Sequence, residues 1–315
     1  VRNIATDAKI EIIRVLNDAS AGDVVTLTSA LESIQNRLRH GTVQPPVVIN
    51  LSLVATPPDE ILEQQYGQTP DRIIHLRDGL RTPIESLANN FGVVFVASAG
   101  NDSDPRDVGM ATGMSMTGMR MQARYPAYFA YDNPSGSGIP QVIPVGAVRG
   151  DESPASYSNY PGPVGIATYG GEVPTPLPAK PDPQVETTID PNVPIDMLRG
   201  VYSSQLYPEL SKDDKQHTPP PPPDLPQEPL PPPYPEELAP DKHAWAYWAG
   251  TSFASPIISA VAVLFLEGQQ PQAIDVRQQI LNAAVQQTTW DRLEPNNGTA
   301  NGPLIMAVQC QPELP

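Results

Sequence analysis

Cysteine and histidine are scarce in this 315-residue sequence: one cysteine, Cys310, and four histidines, His40, His75, His217 and His243. A single thiol excludes an intramolecular disulfide framework and any cysteine-based zinc cage. The histidines are scattered without metal-ligand spacing, so no metal site is expected from them. Basic residues are in deficit too, 19 Lys and Arg against 35 Asp and Glu, a net charge of −16. That balance argues against a nucleic-acid binder that works by neutralising phosphates. Long hydrophobic runs are missing. The most apolar stretch, Ile257 to Leu266, is far shorter than the ~20 residues a bilayer requires, so no membrane span is expected. The sequence opens on Val1 with neither Met nor a basic-then-apolar leader, as expected of a processed or truncated chain. Compartment is left open.

Proline is what the sequence has in excess: 40 residues, of which 20 fall between Pro174 and Pro240. From Glu172 to His243 acidic residues outnumber basic ones 13 to 5, half of the net charge. Runs such as Pro219 to Pro223 and Pro231-Pro232-Pro233-Tyr234-Pro235 cannot feed a sheet ladder or continue a helix. Polyproline II or irregular chain is expected there, with a short strand at Met197 to Tyr202 between two insertions. The remaining ~250 residues suffice for one sizeable core.

Outside that region, strand and helix signals alternate. Ile10 to Leu16 is β-branched and bounded by Asn17-Asp18. Leu27, Leu31, Ile34 and Leu38 mark one helix face. Pro46 to Leu53, Val93 to Ala97 and Val142 to Val148 are apolar runs of buried-strand length. Leu80, Ile84 and Leu87 mark a second helix in which Pro83 suits the first turn better than the middle. Ser252 to Glu267 and Ile274 to Val285 complete the helices. Short apolar strands separated by helices predict an α/β fold, three layers with a mostly parallel sheet and helices on both faces.

Two segments carry chemistry. Gly250-Thr251-Ser252-Phe253-Ala254-Ser255-Pro256 places Ser252 at a helix N-terminus, where free amides favour developing negative charge. That suits a nucleophilic hydroxyl, although capping the helix is the commoner use of Thr or Ser at such a position. Ser98-Ala99-Gly100-Asn101 closes a buried strand at the carboxyl edge of the sheet, where α/β proteins bind ligands. An Asn amide there can donate to an oxyanion; the alternative is a plain Gly-Asn turn.

Taken in order, Val48 to Leu53, Val94 to Asn101, Tyr125-Pro126-Ala127, Val142 to Val148, Ser156 to Asn159 and Gly250 to Pro256 resemble successive blocks of the subtilisin-like serine peptidases. The resemblance implies a subtilisin-like fold over residues 1–171 and 244–315, interrupted by acidic Pro-rich insertions over 172–243. It implies a serine endopeptidase acting through an acyl-enzyme on a polypeptide substrate, without a cofactor. Ser252 would be the nucleophile. Asn101 would donate to the oxyanion, with the Ser252 amide as second donor. Ser52, Leu53 and Val54 would pair with an extended substrate, and Ser98, Ala99 and Gly100 would wall the primary specificity pocket. An extracellular or cell-envelope location follows from the resemblance alone.

Three departures stand out. Val54 replaces a customary glycine beside the substrate. Arg124 stands near a pocket floor that is usually small; reaching the floor it would favour acidic or polar side chains, while an outward surface position is the commoner fate of an Arg. The third is the triad. His40 and His75 sit in no matching block, and His243 has no orienting partner nearby. The missing Asp and His are expected in an upstream segment. The rival readings are a non-catalytic subtilase-like peptide binder, and an interaction protein acting through its Pro-rich segment.

Other motifs have blander readings. Met110, Met114, Met116, Met119 and Met121 suggest a sticky loop over the cleft before a copper(I) site. Pro231 to Tyr234 matches a WW-ligand pattern by chance as readily as by function. Asn297-Gly298-Thr299 is a glycosylation sequon that matters only in a secreted chain. Asp102, Asp104 and Asp107 could support a structural calcium, with solvated loop charge the default.

Overall fold

The structure is a computed structural model that describes residues 1, 3–17, 22–55, 62–63, 66–103, 120–131, 138–172, 196–201, 245–267, 273–284, 286–291 and 299–304. It divides into two compact units, residues 1–197 with 249–315, and residues 198–248.

The first unit is built on a sheet whose central strands are among its most apolar segments. Strands β1 (Val48–Leu51), β2 (Val94–Ser98), β3 (Val142–Val148) and β4 (Ile166–Tyr169) pair in parallel in that order. The second unit contains an antiparallel pair, β5 (Leu198–Val201) with β6 (Trp245–Trp248). Back in the first unit, β7 (Gln286–Asp291) pairs antiparallel with β8 (Thr299–Leu304), and β8 joins β4 through Ala167 and Leu304.

Side chains alternate across β2, and the alternation defines the layers. Val93, Phe95, Ala97 and Ala99 face a core shared with helix α1 (Val24–Arg39) through Leu27, Leu31 and Leu38, and with α2 (Asp71–Phe91) through Leu80, Ile84 and Leu87. Val94 and Val96, with Ile143, Val145 and Ala147 of β3, face a second core. That core is filled by Ala254, Ile258 and Ala262 of α3 (Thr251–Glu267) and by Val276 and Ile280 of α4 (Ala273–Ala283). Helices therefore cover both faces, the three-layer α/β arrangement expected from the sequence. Ile258 is fully buried, so Ile258→Ala should lower the unfolding free energy by ~2–5 kcal/mol, read from a denaturant titration.

Two expectations need correction. Ile10 to Leu16 is no strand: Ile12 is 90% exposed, and Ile10, Ile13 and Leu16 are exposed as well. A strand needs a neighbour for its amides, and none pairs with this segment among the described residues. Pro83 lies in the middle of α2 and is buried there. A proline ring clashes with the carbonyl four residues back and removes a hydrogen bond. The residue four back is Gly79, whose missing side chain eases local adjustment, and burial among Leu80, Ile84 and Leu87 offsets the lost bond.

Among the described residues, no helix is long and apolar enough to cross a membrane. The insertion residues 173–195 and 202–244, the methionines from Met110 to Met119, the WW-like motif and Asn297-Gly298 lie outside the described residues. So do Asp104, Asp107, His217, His243 and Cys310.

Candidate active site

The site assembles where the carboxyl ends of β1 and β2 meet the start of α3. Gly250 precedes the helix with φ +152°, a conformation that L side chains rarely adopt. Its N–H donates to Gly170 O at 3.0 Å, fixing the turn to the chain just after β4. A Cβ built on Gly250 would lie 3.5 Å from Asn101 Nδ2. That is ordinary van der Waals distance, so the backbone angle rather than lack of space calls for glycine here.

The hydroxyls of Thr251 and Ser252 do not cap the helix. Thr251 Oγ1 donates to Asn101 Oδ1 at 2.9 Å, and the Thr251 N–H donates to the same oxygen at 3.0 Å. Thr251 Oγ1 also accepts the Gly100 N–H at 3.3 Å, and that bond is buried. With Oδ1 held by two donors, the orientation of the Asn101 amide is fixed. Its Nδ2 has no hydrogen-bond partner among the described residues. Asn101 itself is exposed.

Ser252 is linked to the end of β1 by two opposed bonds. Ser252 Oγ donates to Ser52 O at 3.2 Å, and Ser52 Oγ donates to Ser252 O at 2.8 Å. Behind them, Asn50 Nδ2 donates to Ser52 Oγ at 2.8 Å, and Ser259 Oγ donates to Asn50 Oδ1 at 3.0 Å. This chain of hydroxyls and amides sets the spacing between β1 and α3. Ser98 Oγ lies within 3.3 Å of Leu53 O, tying the ends of β1 and β2 together.

Asp102, Arg124 and Asn159 form a polar cluster beside Asn101. Arg124 Nη1 pairs with Asp102 Oδ1 at 2.9 Å, the side chains being 21% and 31% exposed. Asn159 is fully buried, and its Nδ2 donates to Asp102 Oδ2 at 2.9 Å and to Ala99 O at 3.2 Å. Its Oδ1 accepts from Asp102 N at 2.9 Å and Ser103 Oγ at 3.1 Å. Arg124 is therefore turned inward onto a partner, where a surface position was the ordinary expectation. Asp102 is committed to Arg124 and Asn159. Among the described residues, no cluster of three or more acidic, His or Cys residues could hold a metal.

The single phenolic proton of Tyr157 is shared between Gly170 O and Gly171 O, at 2.9 and 2.8 Å, on the segment that also accepts the Gly250 N–H. Burial, with the Glu172 carboxylate nearby, pushes its phenol well above the ordinary tyrosine range, so it stays a neutral donor.

A model of the subtilase family matches residues 1–220, more than half of the chain. The chain belongs to the subtilase family. This subtilase is similar in fold to a solved structure titled "Crystal Structure of a Lanthipeptide Protease", at 16% identity and a TM-score of 0.51. The alignment covers 93% of this chain and 66% of that one. Another similar structure, "Crystal structure of a cold adapted subtilisin-like serine proteinase", gives 15% identity and a TM-score of 0.45 over 94% of this chain and 65% of that one. The chain thus spans about two-thirds of the length of each, and identities this low concern the fold alone. No curated protein matches it.

The family match ends before Ser252, so the place of Ser252 in this subtilase rests on geometry. Ser252 bonds to Ser52, Asn101 and Gly100 both bond to Thr251, and Ser98 bonds to Leu53. Leu53 and Ala99 contribute backbone carbonyls, and Val54 is exposed beside them. His40 and His75 stand apart. His40 Nδ1 sits 2.7 Å from Asn36 O at the end of α1, and His75 is exposed on α2. Both helices pack on the sheet face opposite α3. Sequence reasoning missed Thr251 as the orienter of Asn101 and Asn159 as the anchor of Asp102. The Ser156 to Asn159 block marked the second, and the Gly250 to Pro256 block held the first without giving it this task.

Proposed function

We propose that this subtilase is a serine endopeptidase in which Ser252 attacks the scissile carbonyl of a polypeptide. One observation carries the reading: Asn101 Oδ1 is locked by both donors of Thr251, which leaves Nδ2 for a substrate oxygen next to Ser252. In the reaction, Ser252 Oγ forms a bond to the carbonyl carbon and gives its proton to a general base. The oxyanion is met by Asn101 Nδ2 and the Ser252 N–H. Collapse expels the amine, which takes the proton back, and leaves an acyl-enzyme. Water then cleaves the ester and restores the hydroxyl. The base and its orienting carboxylate are assigned to residues outside the described set.

A second reading is favoured by one detail. Ser252 Oγ donates to Ser52 O, and no histidine among the described residues bonds to it. A non-catalytic relative that only binds extended peptides would have that arrangement. Incubating the full-length protein with a denatured polypeptide and sequencing the fragments separates the two. Cleavage lost on Ser252→Ala supports the peptidase. Peptide binding without cleavage, in the complete protein, supports the binder.

A further inference from the structure

A proline stands in the nucleophile's helix one turn after Ser252, and its place there gives a task to residues that the chemistry above leaves unused. Helix α3 runs from Thr251 to Glu267 with Pro256 inside it. In a regular helix each carbonyl accepts from the amide four residues on, and a proline has no N–H to give. Ser252 O therefore lacks the helical donor that residue 256 would supply. Ser52 Oγ, just past the end of β1, donates to that oxygen at 2.8 Å.

This bond fixes the polarity of a chain of groups. A carbonyl only accepts, so the single proton of Ser52 is committed to Ser252 O and the Ser52 oxygen is left to accept. Asn50 meets it with its donor end, Nδ2, at 2.8 Å. That turns Asn50 Oδ1 toward Ser259 Oγ, 3.0 Å away. Ser259 is buried, and its one hydroxyl proton is shared between Asn50 Oδ1 and Ser255 O, both at 3.0 Å. The chain thus leaves α3 at Ser259, crosses to β1 at Asn50 and returns to α3 at Ser252. Asn50 is exposed, and among the described residues its side chain bonds to these two hydroxyls alone.

We propose that Asn50 is a positioning residue for the nucleophile: anchored by Ser259, its amide obliges the Ser52 hydroxyl to hold the Ser252 carbonyl where Pro256 offers no amide. The catalytic consequence rests on the peptidase reading; the hold itself does not. Ser252 Oγ must leave Ser52 O when it attacks, and the bond on its carbonyl keeps the residue in place during that movement.

The test uses the full-length protein with Asn50→Ala, Ser52→Ala and the double variant. Because Asn50 is exposed, its replacement should leave the melting temperature nearly unchanged. Each single variant should lower kcat roughly fivefold, the scale of one hydrogen bond, with KM held within about twofold. The double variant should be no slower than Ser52→Ala alone, since Asn50 acts only through that hydroxyl. Asn50→Asp keeps the shape and presents only acceptors. It should draw the Ser52 proton away from Ser252 O, lower kcat, and in its crystal structure lengthen that contact beyond hydrogen-bond range. This variant carries the test if Ser52→Ala does not fold. A role in structure alone would lower the melting temperature, leave kcat of the folded enzyme intact and make the effects of the two single variants multiply. Full kcat in both Asn50 variants, multiplying losses in the double variant, or an unchanged contact in Asn50→Asp overturns the inference. A lengthened contact in a complete protein that never cleaves peptides defeats the peptidase reading and leaves this one standing. Cleavage that no Asn50 substitution slows does the reverse.

Discussion

In the full-length protein, Ser252→Ala should abolish nucleophilic catalysis, while Asn101→Ala should lower kcat by roughly 10²–10³ with little change in KM. The second figure is the size of that loss known from subtilisin, a member of this family, and does not derive from the present geometry. The difference follows from role. Ser252 supplies the atom that forms the bond, so its loss leaves only assistance from binding and the oxyanion donors. Asn101 Nδ2 meets charge that exists only in the transition state, so ground-state binding is spared. A turn residue without catalytic function would behave otherwise. Its loss would lower the melting temperature and leave kcat of the folded enzyme intact. Kinetics and melting curves on the same preparations distinguish the roles.

Thr251→Val should show what holding the asparagine is worth. The substitution keeps the shape and removes the hydroxyl that donates to Asn101 Oδ1 and accepts from Gly100 N. The amide of Asn101 would then be held only by the Thr251 backbone. A drop in kcat of roughly tenfold is expected, about 1.4 kcal/mol of transition-state stabilisation. The buried Gly100 N–H would lose its acceptor, an additional stability cost of about 1–3 kcal/mol. Thr251→Ser keeps the hydroxyl and should recover most of the kcat. If valine lowers stability while kcat stands, Thr251 serves packing, and the orientation of Asn101 has another source.

The legible parts of this fold were those where local chemistry and burial agree. β2 and β3 are apolar on both faces because both are covered by helices, and runs such as Val93 to Ala97 show it directly. Gly250 to Pro256 and Ser98 to Asn101 were visible because a positive φ demands glycine and the chemistry demands Ser and Asn. Ile10 to Leu16 misled because β-branched residues signal a strand without saying whether a partner strand is adjacent. β8 was hidden by Asn301, Gly302 and Pro303. It pairs with β7 along its whole length, Pro303 opposite Gln287, and joins β4 at Leu304. Arg124 defied expectation because its partner depends on contacts distant in sequence. Asp102 is 22 residues away and Asn159 lies farther still.

The central claim is that Ser252 is a nucleophile backed by an oxyanion donor. A fluorophosphonate probe tests this most directly, because it phosphonylates only an activated hydroxyl and leaves a mass tag on it. The full-length protein should carry one tag near neutral pH, mapped by mass spectrometry to the peptide holding Ser252. Asn101→Ala should slow the labelling without moving it. A tag on another residue, or a complete protein that stays unlabelled while it cleaves peptides, would contradict the account.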